Sequence, residues 1–439
     1  MGTIKFDLSR NDGKFKIMHA VNNGPVYKRY VGTVPKRNNL EEYKALRIPY
    51  ARNHDASYYD VYGGEHTVDI SAIFPNFDAD VNDPESYDFA CTDEYIAVTA
   101  LAGTETFYRL GQKIEHTIKK YFIHPPKDFK KWAQICEHII RHYNEGWADG
   151  FNYNIEYWEI WNEPDLNWQS TNPLMKATWS GTKEQFFDLY EVAAKHLKSC
   201  FPNLKIGGPA LAGDNAWAQE FLLEMQRREV PIDFFSWHVY CTSPGMISAK
   251  GRRMKQFMLE AGYSEAESIL NEWNYMKDWT DMAPSFEKIV GIHGAAFTMA
   301  CMTEGQHSPT DMLMYYDARP TLWNGLFDSL SIKPLKGYYS IKFFSELYNE
   351  CEREVLCEDS CEGIYTLCGV DKNGKAYAII THFVDDDNTP DKEIEIDFGR
   401  DGEYDIYLLD GEHNGELIKT TSELKFTMSV YSVIMIKEK

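Results

Sequence analysis

The sequence contains no long hydrophobic run and comparatively little positive charge. No stretch of its 439 residues stays apolar for the roughly 20 residues that a membrane-spanning helix needs. Lysine and arginine number 45 against 67 aspartates and glutamates, which gives a formal net charge of −22. Nucleic-acid binding requires clustered basic residues. The composition therefore predicts no membrane and no nucleic acid as partner, and a neutral substrate fits it better.

Paired cysteine spacings and metal-binding motifs are also missing. The nine cysteines form no C-x2-C pair, which indicates reduced thiols rather than a disulfide scaffold or a zinc site. His138 and His142 have the spacing of a zinc-binding helix, but Ile139 stands where His-Glu-x-x-His requires glutamate. The helical phase also predicts both histidines on the solvated face. We expect no metal and no cofactor.

The beginning of the chain shows no targeting pattern. The residues from Met1 to Leu8 lack a basic flank followed by an apolar core and a cleavage site. The sequence therefore predicts a cytoplasmic protein. No glycine-rich phosphate loop and no Gly-x-Ser-x-Gly elbow follows any predicted strand, so nucleotide binding and serine-hydrolase chemistry are not indicated.

What the chain does have, as far as about residue 345, is a regular alternation of short β-type runs and longer helical ones. This alternation is typical of a parallel sheet wrapped by helices, and eight strands are the number that closes a (β/α)8 TIM barrel. The predicted strands are Phe15–Val21, Ile48–Arg52, Glu105–Leu110, Glu156–Trp161, Leu204–Gly208, Phe234–Tyr240, Ser268–Trp273 and Met312–Tyr316.

After about residue 350 the pattern changes to β-rich runs separated by turns rich in Asp, Asn and Gly, with no helix between them. The predicted runs are Glu354–Leu356, Gly363–Val370, Ala376–Phe383, Glu393–Phe398, Tyr404–Leu409 and Leu424–Ile436. These runs predict an antiparallel β-sandwich. The predicted fold class is thus α/β, a (β/α)8 TIM barrel with a C-terminal antiparallel β-sandwich. We expect the barrel at residues 10–348 and the accessory sandwich at 349–439, with residues 1–9 as a candidate additional strand.

Two motifs carry the chemistry, because each is an apolar run that stops at a glutamate. The stretch Trp158–Pro164 reads Trp-Glu-Ile-Trp-Asn-Glu-Pro, and Ile269–Asn274 reads Ile-Leu-Asn-Glu-Trp-Asn. Functional groups of TIM barrels cluster at the carboxyl ends of the strands. The separation of 272 − 163 = 109 residues accommodates three βα units, so Glu163 and Glu272 should face each other across the barrel mouth. A helix start at Asn-Glu-Pro is the alternative for the first motif.

Two facing carboxylates predict cleavage of a glycosidic bond. Arg52 and Tyr240, if they lie near Glu272, would hold it ionised as the nucleophile. An aromatic pocket near Trp161 would raise the pKa of Glu163 and make it the acid. A separation of about 5 to 5.5 Å would give retention of anomeric configuration.

The motifs resemble those of a known group of enzymes. Trp161-Asn162-Glu163-Pro164 on the fourth predicted strand and Asn271-Glu272-Trp273 on the seventh resemble the retaining glycosidases of clan A. The combination of barrel and trailing β-sandwich resembles glycoside hydrolase family 39, which is known for β-xylosidases. The resemblance extends over nearly the whole chain.

The resemblance implies roles for individual residues. Glu163 would be the acid/base, Glu272 the nucleophile, and Asn162 a hydrogen-bond donor to the sugar 2-hydroxyl. Arg52-Asn53-His54 resembles the Arg-x-His of the family on the second strand, and His238-Val239-Tyr240 resembles its His-x-Tyr on the sixth. We therefore expect Arg52, His54, His238 and Tyr240 to bind substrate.

Two regions depart from the xylosidase pattern of the family, namely residues 105–111 on the third strand and 316–325 after the eighth. Both would line the sugar pocket, so the sugar is left open. Asp317, Arg319 and Trp323 are candidate substrate contacts, with a structural salt bridge and a packed tryptophan as the alternatives. Trp273, beside Glu272, is a candidate wall of the pocket.

Together these features predict a retaining exo-glycoside hydrolase that acts on oligosaccharides by double displacement and resembles a β-xylosidase. The alternatives are the same mechanism on another glycoside, such as an arabinosidase or another pentosidase, and a carbohydrate-binding barrel without catalysis. A transglycosylase would share the covalent intermediate. The oligomeric state, including a homo-oligomer, is left open.

Overall fold

The computed structural model describes residues 2–27, 38–56, 67–357 and 361–439. Strand β1, Gly2–Lys5, precedes a closed barrel of eight strands in which every neighbouring pair is parallel. The barrel strands are β2 Ile17–Asn22, β3 Tyr50–Arg52, β4 Glu105–Leu110, β5 Tyr157–Ile160, β6 Lys205–Leu211, β7 Phe234–Cys241, β8 Glu267–Tyr275 and β9 Met312–Tyr315. The prediction of a TIM barrel is confirmed, and each predicted strand overlaps an observed one.

Helices surround the barrel and begin at recognisable caps. They are α1 Leu40–Ala45, α2 Ile70–Ile73, α3 Ala90–Leu101, α4 Phe129–Glu145, α5 Lys183–Cys200, α6 Asn215–Arg227, α7 Gly245–Glu260, α8 Ala283–Ile289, α9 Ile292–Gln306 and α10 Lys336–Glu350. Thr182 and Gln185 form a capping box at the start of α5, and Asp128 and Asp214 cap α4 and α6. Within the described ranges, no helix combines the length and the apolar character needed to cross a bilayer.

Helix α4 differs from the prediction on one face. His138 is partly exposed, as expected, but His142 is buried. Its ring stacks on Phe89 at a centroid distance of 3.6 Å, and its Nε2 atom lies 2.9 Å from Asp93 Oδ1. The prediction that both histidines face solvent is wrong for His142, because the segment before α3 packs over this part of the helix.

The C-terminal sheets form the second part of the molecule. The six-stranded antiparallel sheet has the order β10, β11, β12, β17, β14, β15, and the smaller sheet has the order β1, β13, β16. The strand ranges are β10 Cys351–Glu354, β11 Ile364–Asp371, β12 Ala376–His382, β13 Lys392–Asp397, β14 Tyr404–Leu409, β15 Asn414–Thr421, β16 Lys425–Met428 and β17 Ser432–Glu438. Strand β1 pairs in parallel with β13, so the N-terminal residues do contribute a strand here.

Two details of these sheets were not anticipated. Strand β15 is additional, and the single strand expected at Leu424–Ile436 is two strands that belong to different sheets. The chain turns between them at Tyr431, whose φ of 62° breaks the extended conformation. The division into domains at residues 348 and 349 stays a prediction.

The barrel and the C-terminal sheets pack closely together. Helix α9 is buried on nearly all sides because it lies between the barrel and strands β11, β12 and β17. Asp385, just after β12, accepts hydrogen bonds from Tyr275 Oη at 3.0 Å and Lys288 Nζ at 3.1 Å. Its Oδ1 atom also lies 2.9 Å from His293 Nε2. The carboxylate thus ties the loop after β12 to β8, α8 and α9.

The inside of the barrel is arranged in layers. Its apolar layer consists mainly of Ala20, Phe107, Tyr157, Phe234, Ile269, Met312 and Met314, with Tyr50 packed against it. Side chains alternate along a strand, so residues two positions further along each strand point inward above this layer. These positions hold Asn22, Arg52, Arg109, Glu159, Ser236 and Asn271, all of them fully buried. A polar layer therefore lies directly beneath the barrel mouth.

Candidate active site

Glu163 lies in the turn that follows β5, in a strained backbone conformation. Its φ is 49°, and that of Trp161 is 74°, values that non-glycine residues rarely adopt. The amide of Glu163 donates to the carbonyl oxygen of Ala210 at 2.9 Å. The residue is only 8% exposed, and its Oε1 atom lies 2.8 Å from Nδ1 of His238. The turn thus places this carboxyl at the mouth of the barrel.

Glu272 points into the barrel because strand β8 contains a β-bulge. Trp237 of β7 pairs with Leu270, whereas the next residue, His238, pairs with Glu272, so that Asn271 is the extra residue. Both Asn271 and Glu272 consequently point inward. Glu272 is 4% exposed, and its Oε1 accepts a hydrogen bond from Arg52 Nη1 at 2.7 Å.

The second oxygen of Glu272 is also held. Its Oε2 atom accepts a hydrogen bond from the Tyr240 hydroxyl at 2.9 Å and lies 3.5 Å from His238 Nδ1. Carboxyl oxygens of Glu163 and Glu272 and a ring nitrogen of His238 lie within 4.8 Å of one another. The two glutamates therefore face each other at close range across one imidazole.

The two carboxyls differ in electrostatic environment. Burial, assisted by the negative charge of Asp165, raises the pKa of Glu163 to about 8. Burial also raises the pKa of Glu272, but His238 and Arg52 oppose this effect. Burial lowers the pKa of His238 to about 4, so its imidazole is neutral at pH 7.

Arg52 is the central cation of the site. Its Nε donates to Glu159 Oε2 at 2.6 Å, and its Nη2 donates to Asn162 Oδ1 at 2.6 Å. Its Nη1, besides holding Glu272, donates to Asn22 Oδ1 at 3.1 Å. The amide oxygen of Asn162 faces Arg52, and within the part of the chain that the structure describes the Nδ2 atom of Asn162 has no hydrogen-bond partner. Asn22 and Glu159 were not predicted from the sequence, although both occupy inward positions of their strands.

His54 lies beside this group. Its Nε2 atom is 3.8 Å from Glu272 Oε1 and 3.7 Å from Asp55 Oδ2, and neither ring nitrogen has a hydrogen-bond partner among the described residues. Burial lowers the pKa of His54 well below its usual value. A neutral, buried donor and acceptor is thus available next to Glu272.

An aromatic cluster borders the site beyond Tyr240. The Tyr240 ring packs edge-to-face on Trp279 and Trp323, at centroid distances of 5.2 and 5.3 Å. Tyr316 also contacts Tyr240 and Trp323. Trp279 is 58% exposed, whereas Trp323 is partly buried. These rings form an apolar surface one side chain away from Glu272.

Two predicted site residues lie elsewhere. Trp273 is fully buried on the outer side of β8, where it packs against Phe297 and Tyr315, so the structure does not place it in the pocket. The bulge at Asn271 is the reason, because it turns Glu272 inward and the following residue outward. Trp161 likewise packs outside the barrel, against Trp132 and Trp179, so it is not the aromatic neighbour expected for Glu163.

Asp317 forms a salt bridge with Arg319, which was the alternative to a substrate contact. It is fully buried, and its Oδ2 accepts a hydrogen bond from Arg319 Nη2 at 3.1 Å. Burial raises its pKa to about 6, although Arg319 opposes the effect. Arg319 also donates to the backbone carbonyl of Asp55. The pair therefore joins the loop after β9 to the loop after β3.

Two groups of side chains have the chemistry of metal ligands among the described residues. One is Glu163, His238 and Glu272, and the other is Glu137, His196 and Cys200 between α4 and α5. In the first group, Arg52 and Tyr240 already occupy both oxygens of Glu272. In the second, Glu137 is paired with Arg141 and His196. Glu272 and Glu137 thus already have hydrogen-bond or ion-pair partners within the protein.

Comparison with known proteins agrees with this geometry. The model of the family "Glycosyl hydrolases family 39" matches residues 21–277. A β-xylosidase of Geobacillus stearothermophilus is 26% identical over 261 residues, which are 52% of this chain and 48% of that protein. A β-xylosidase of Caldicellulosiruptor saccharolyticus is 26% identical over 386 residues, or 85% of this chain and 70% of that protein.

A solved structure supports the same fold over the whole chain. The crystal structure of a glucosidase from Croceicoccus marinus superposes with a TM-score of 0.78 at 20% identity, covering 100% of this chain and 99% of the other. The family model spans more than half of the chain and includes both glutamate motifs. The resemblance inferred from the motifs is thereby confirmed, and the chain belongs to glycosyl hydrolases family 39.

Proposed function

We propose that this chain is a retaining glycoside hydrolase in which Glu272 is the nucleophile and Glu163 the acid/base. The observation that carries the proposal is the approach of the two carboxyls, with an oxygen of each within 4.8 Å of the other. Retaining enzymes place the two groups about 5 to 5.5 Å apart, whereas inverting enzymes leave about 6.5 to 9.5 Å for a water molecule. The approach of Glu163 and Glu272 supports the shorter, retaining separation.

The electrostatic environment supports the division of roles. In the first step, a Glu272 oxygen bonds to the anomeric carbon while the glycosidic bond breaks, and the proton of Glu163 passes to the departing oxygen. A pKa of about 8 keeps Glu163 protonated at neutral pH. Arg52 and Tyr240 donate hydrogen bonds that favour the ionised form of Glu272.

In the second step, Glu163 acts as the base. Once Glu272 is esterified, its negative charge is gone, and the pKa of Glu163 falls because a like charge has been removed. Glu163 then takes a proton from water, the water oxygen bonds to the anomeric carbon, and Glu272 leaves as a carboxylate. His238, being neutral, can accept a hydrogen bond from protonated Glu163 or donate one to the ionised form.

We propose a β-xylosidase-like specificity and exo action. Both β-xylosidases described above match the chain by sequence, which supports a β-xyloside as the first substrate to try. The near-complete burial of Glu163 and Glu272 supports a pocket that accepts the end of a chain rather than an open groove. The partly exposed rings of Trp279 and Trp323 would then contact the leaving group of an oligosaccharide.

Proton NMR of the first product tests the mechanism. With 4-nitrophenyl β-D-xylopyranoside, we expect β-xylose to appear first and to mutarotate later. Initial appearance of the α-anomer would contradict the double displacement. A parallel panel of nitrophenyl arabinosides and glucosides tests the sugar, and activity confined to an arabinoside would replace xylose with that pentose.

A binding protein without catalysis is the alternative from another class. It predicts no turnover of any glycoside in the panel but measurable binding of a monosaccharide by calorimetry. The intact pair of carboxyls at 4.8 Å or less argues against it.

Adding an acceptor alcohol during turnover would show how far transglycosylation competes with hydrolysis.

A further inference from the structure

Glu159 is a third buried carboxylate beneath the site, and the mechanism above does not use it. It lies in β5, four residues before Glu163, and its side chain is completely inaccessible. Its Oε2 accepts from Arg52 Nε at 2.6 Å, and its Oε1 accepts from the Ser236 hydroxyl at 2.6 Å and from Asn271 Nδ2. Both oxygens therefore have partners within the polar layer, and substrate cannot reach them.

Arg52 is shared between two carboxylates. Glu159 binds its Nε at 2.6 Å, and Glu272 binds its Nη1 at 2.7 Å. The guanidinium is planar, so fixing Nε also fixes the directions of both terminal nitrogens. Those nitrogens hold Glu272 and Asn162. The orientation of the nucleophile and of the asparagine beside Glu163 therefore depends on Glu159.

We propose that Glu159 is a positioning residue, whose carboxylate fixes Arg52 against Glu272 and Asn162 and whose negative charge competes with Glu272 for the charge of Arg52. The inference rests on the proposed role of Glu272 as nucleophile. Because Arg52 interacts with both carboxylates, Glu159 weakens the stabilisation of ionised Glu272 by Arg52, so that Glu272 is held in place and remains reactive.

The charges around Glu272 define what a change at Glu159 should do. The groups that face Glu272 or its partners are Arg52 and His54 with Asp55 from β3 and its loop, Glu159 and Glu163 from β5 and its turn, His238 and Tyr240 from β7, and Tyr316 after β9. Arg52 is the cation that contacts both Glu159 and Glu272 directly. Neutralising Glu159 removes one of the two negative charges beside Arg52. Arg52 should then stabilise the ionised form of Glu272 more strongly.

The test measures how kcat/KM depends on pH in two variants. The acid limb is the fall in kcat/KM at low pH, where Glu272 becomes protonated. In Glu159→Gln, we expect this limb to move to lower pH by about one unit, because a negative charge is removed. We also expect kcat to fall about tenfold or more, because Arg52 is less firmly held. In Glu159→Asp, the charge remains but the shorter side chain cannot reach Nε, so kcat should fall while the limb stays in place.

Glu156→Gln is the matched control, because it also removes one negative charge. Glu156 lies just before β5 and pairs with the partly exposed Lys205. The kcat and the acid limb of this variant should equal those of the unmodified enzyme. An unmoved or raised acid limb in Glu159→Gln overturns the competition for charge, and an unchanged kcat in Glu159→Asp overturns the positioning role. If Glu159→Gln does not fold, as judged by circular dichroism, the aspartate variant alone decides the positioning role.

Covalent labelling separates this inference from the proposed function. A 2-deoxy-2-fluoro donor of the sugar that the nitrophenyl panel identifies, with a dinitrophenyl leaving group, should esterify Glu272 in the unmodified enzyme, as identified by peptide mass spectrometry. Absence of that label would refute Glu272 as nucleophile. A label on Glu272 together with unaltered kinetics in both Glu159 variants would refute only the role of Glu159.

Discussion

The Nδ1 atom of His238 lies 2.8 Å from Oε1 of Glu163, and burial keeps this histidine neutral at pH 7. A protonated histidine would place a positive charge against Glu163 and favour its ionised form. A neutral one leaves the acid protonated until the reaction begins. The pKa of Glu163, about 8, is consistent with that arrangement.

The pH dependence of kcat/KM should therefore be bell-shaped. Glu163 must be protonated to act as the acid, so activity should fall as the pH rises through about 8. Glu272 must be ionised, so activity should fall as the pH drops through its own pKa, which burial raises above the ordinary glutamate value. In Glu163→Gln, assayed with a dinitrophenyl glycoside that needs no acid, the basic limb should disappear. Persistence of that limb would assign it to another group.

Removal of Glu272, the proposed nucleophile, should abolish turnover but allow chemical rescue. We expect Glu272→Gly to lose about 10⁴-fold or more in kcat, since the covalent intermediate can no longer form. Added azide should occupy the vacated space and attack from the same face, giving an α-glycosyl azide detectable by NMR. Glu272→Gln should still bind xylose with an affinity measurable by calorimetry. Full activity in either variant would contradict the assignment.

Trp273 and Trp279 should respond in opposite ways to substitution. Trp273 is fully buried behind β8, so Trp273→Phe should lower the free energy of unfolding by about 1–3 kcal/mol and leave KM unchanged. Trp279 is exposed at the edge of the aromatic cluster, so Trp279→Ala should raise KM for xylobiose several-fold with little effect on unfolding. Urea denaturation and steady-state kinetics on both variants give the comparison. The reverse pattern would place Trp273 in the pocket.

Asp385 should stabilise the contact between the barrel and the C-terminal sheets. Although burial alone would raise its pKa, hydrogen bonds from His293, Lys288 and Tyr275 hold the pKa below the ordinary value. A lowered native-state pKa means that the contribution is present above the pKa of the unfolded state, about 3.9, and is lost as the pH falls through the native-state value.

At pH 7, Asp385→Asn should reduce the free energy of unfolding by about 1–3 kcal/mol. The exposed Asp391 supplies the control, because Asp391→Asn should change stability little. The difference between Asp385→Asn and the unmodified protein should shrink at low pH, where Asp385 itself becomes protonated. A difference that is the same at pH 3 and pH 7 would show that the charge of Asp385 contributes nothing.

Much of the fold was predictable because the barrel repeats one local pattern. Each barrel strand is a short apolar run followed by a helix with its own caps, and such signals are contained in neighbouring residues. The C-terminal sheets were harder to predict. Residues 424–436 contain one continuous β-type pattern, yet β16 and β17 belong to different sheets. The position of a turn within an apolar run depends on which sheet has room for each half.

The sequence by itself determined the two glutamate motifs, their positions at strand ends three βα units apart, and hence the kind of reaction. Tertiary structure decided which side chains point into the mouth of the barrel. Strict alternation along β8 would direct Asn271 and Trp273 inward and Glu272 outward. The bulge opposite His238 instead turns Glu272 inward and Trp273 outward. The sharing of Arg52 between Glu159 and Glu272 likewise exists only in the closed barrel, because the three residues come from strands far apart in sequence.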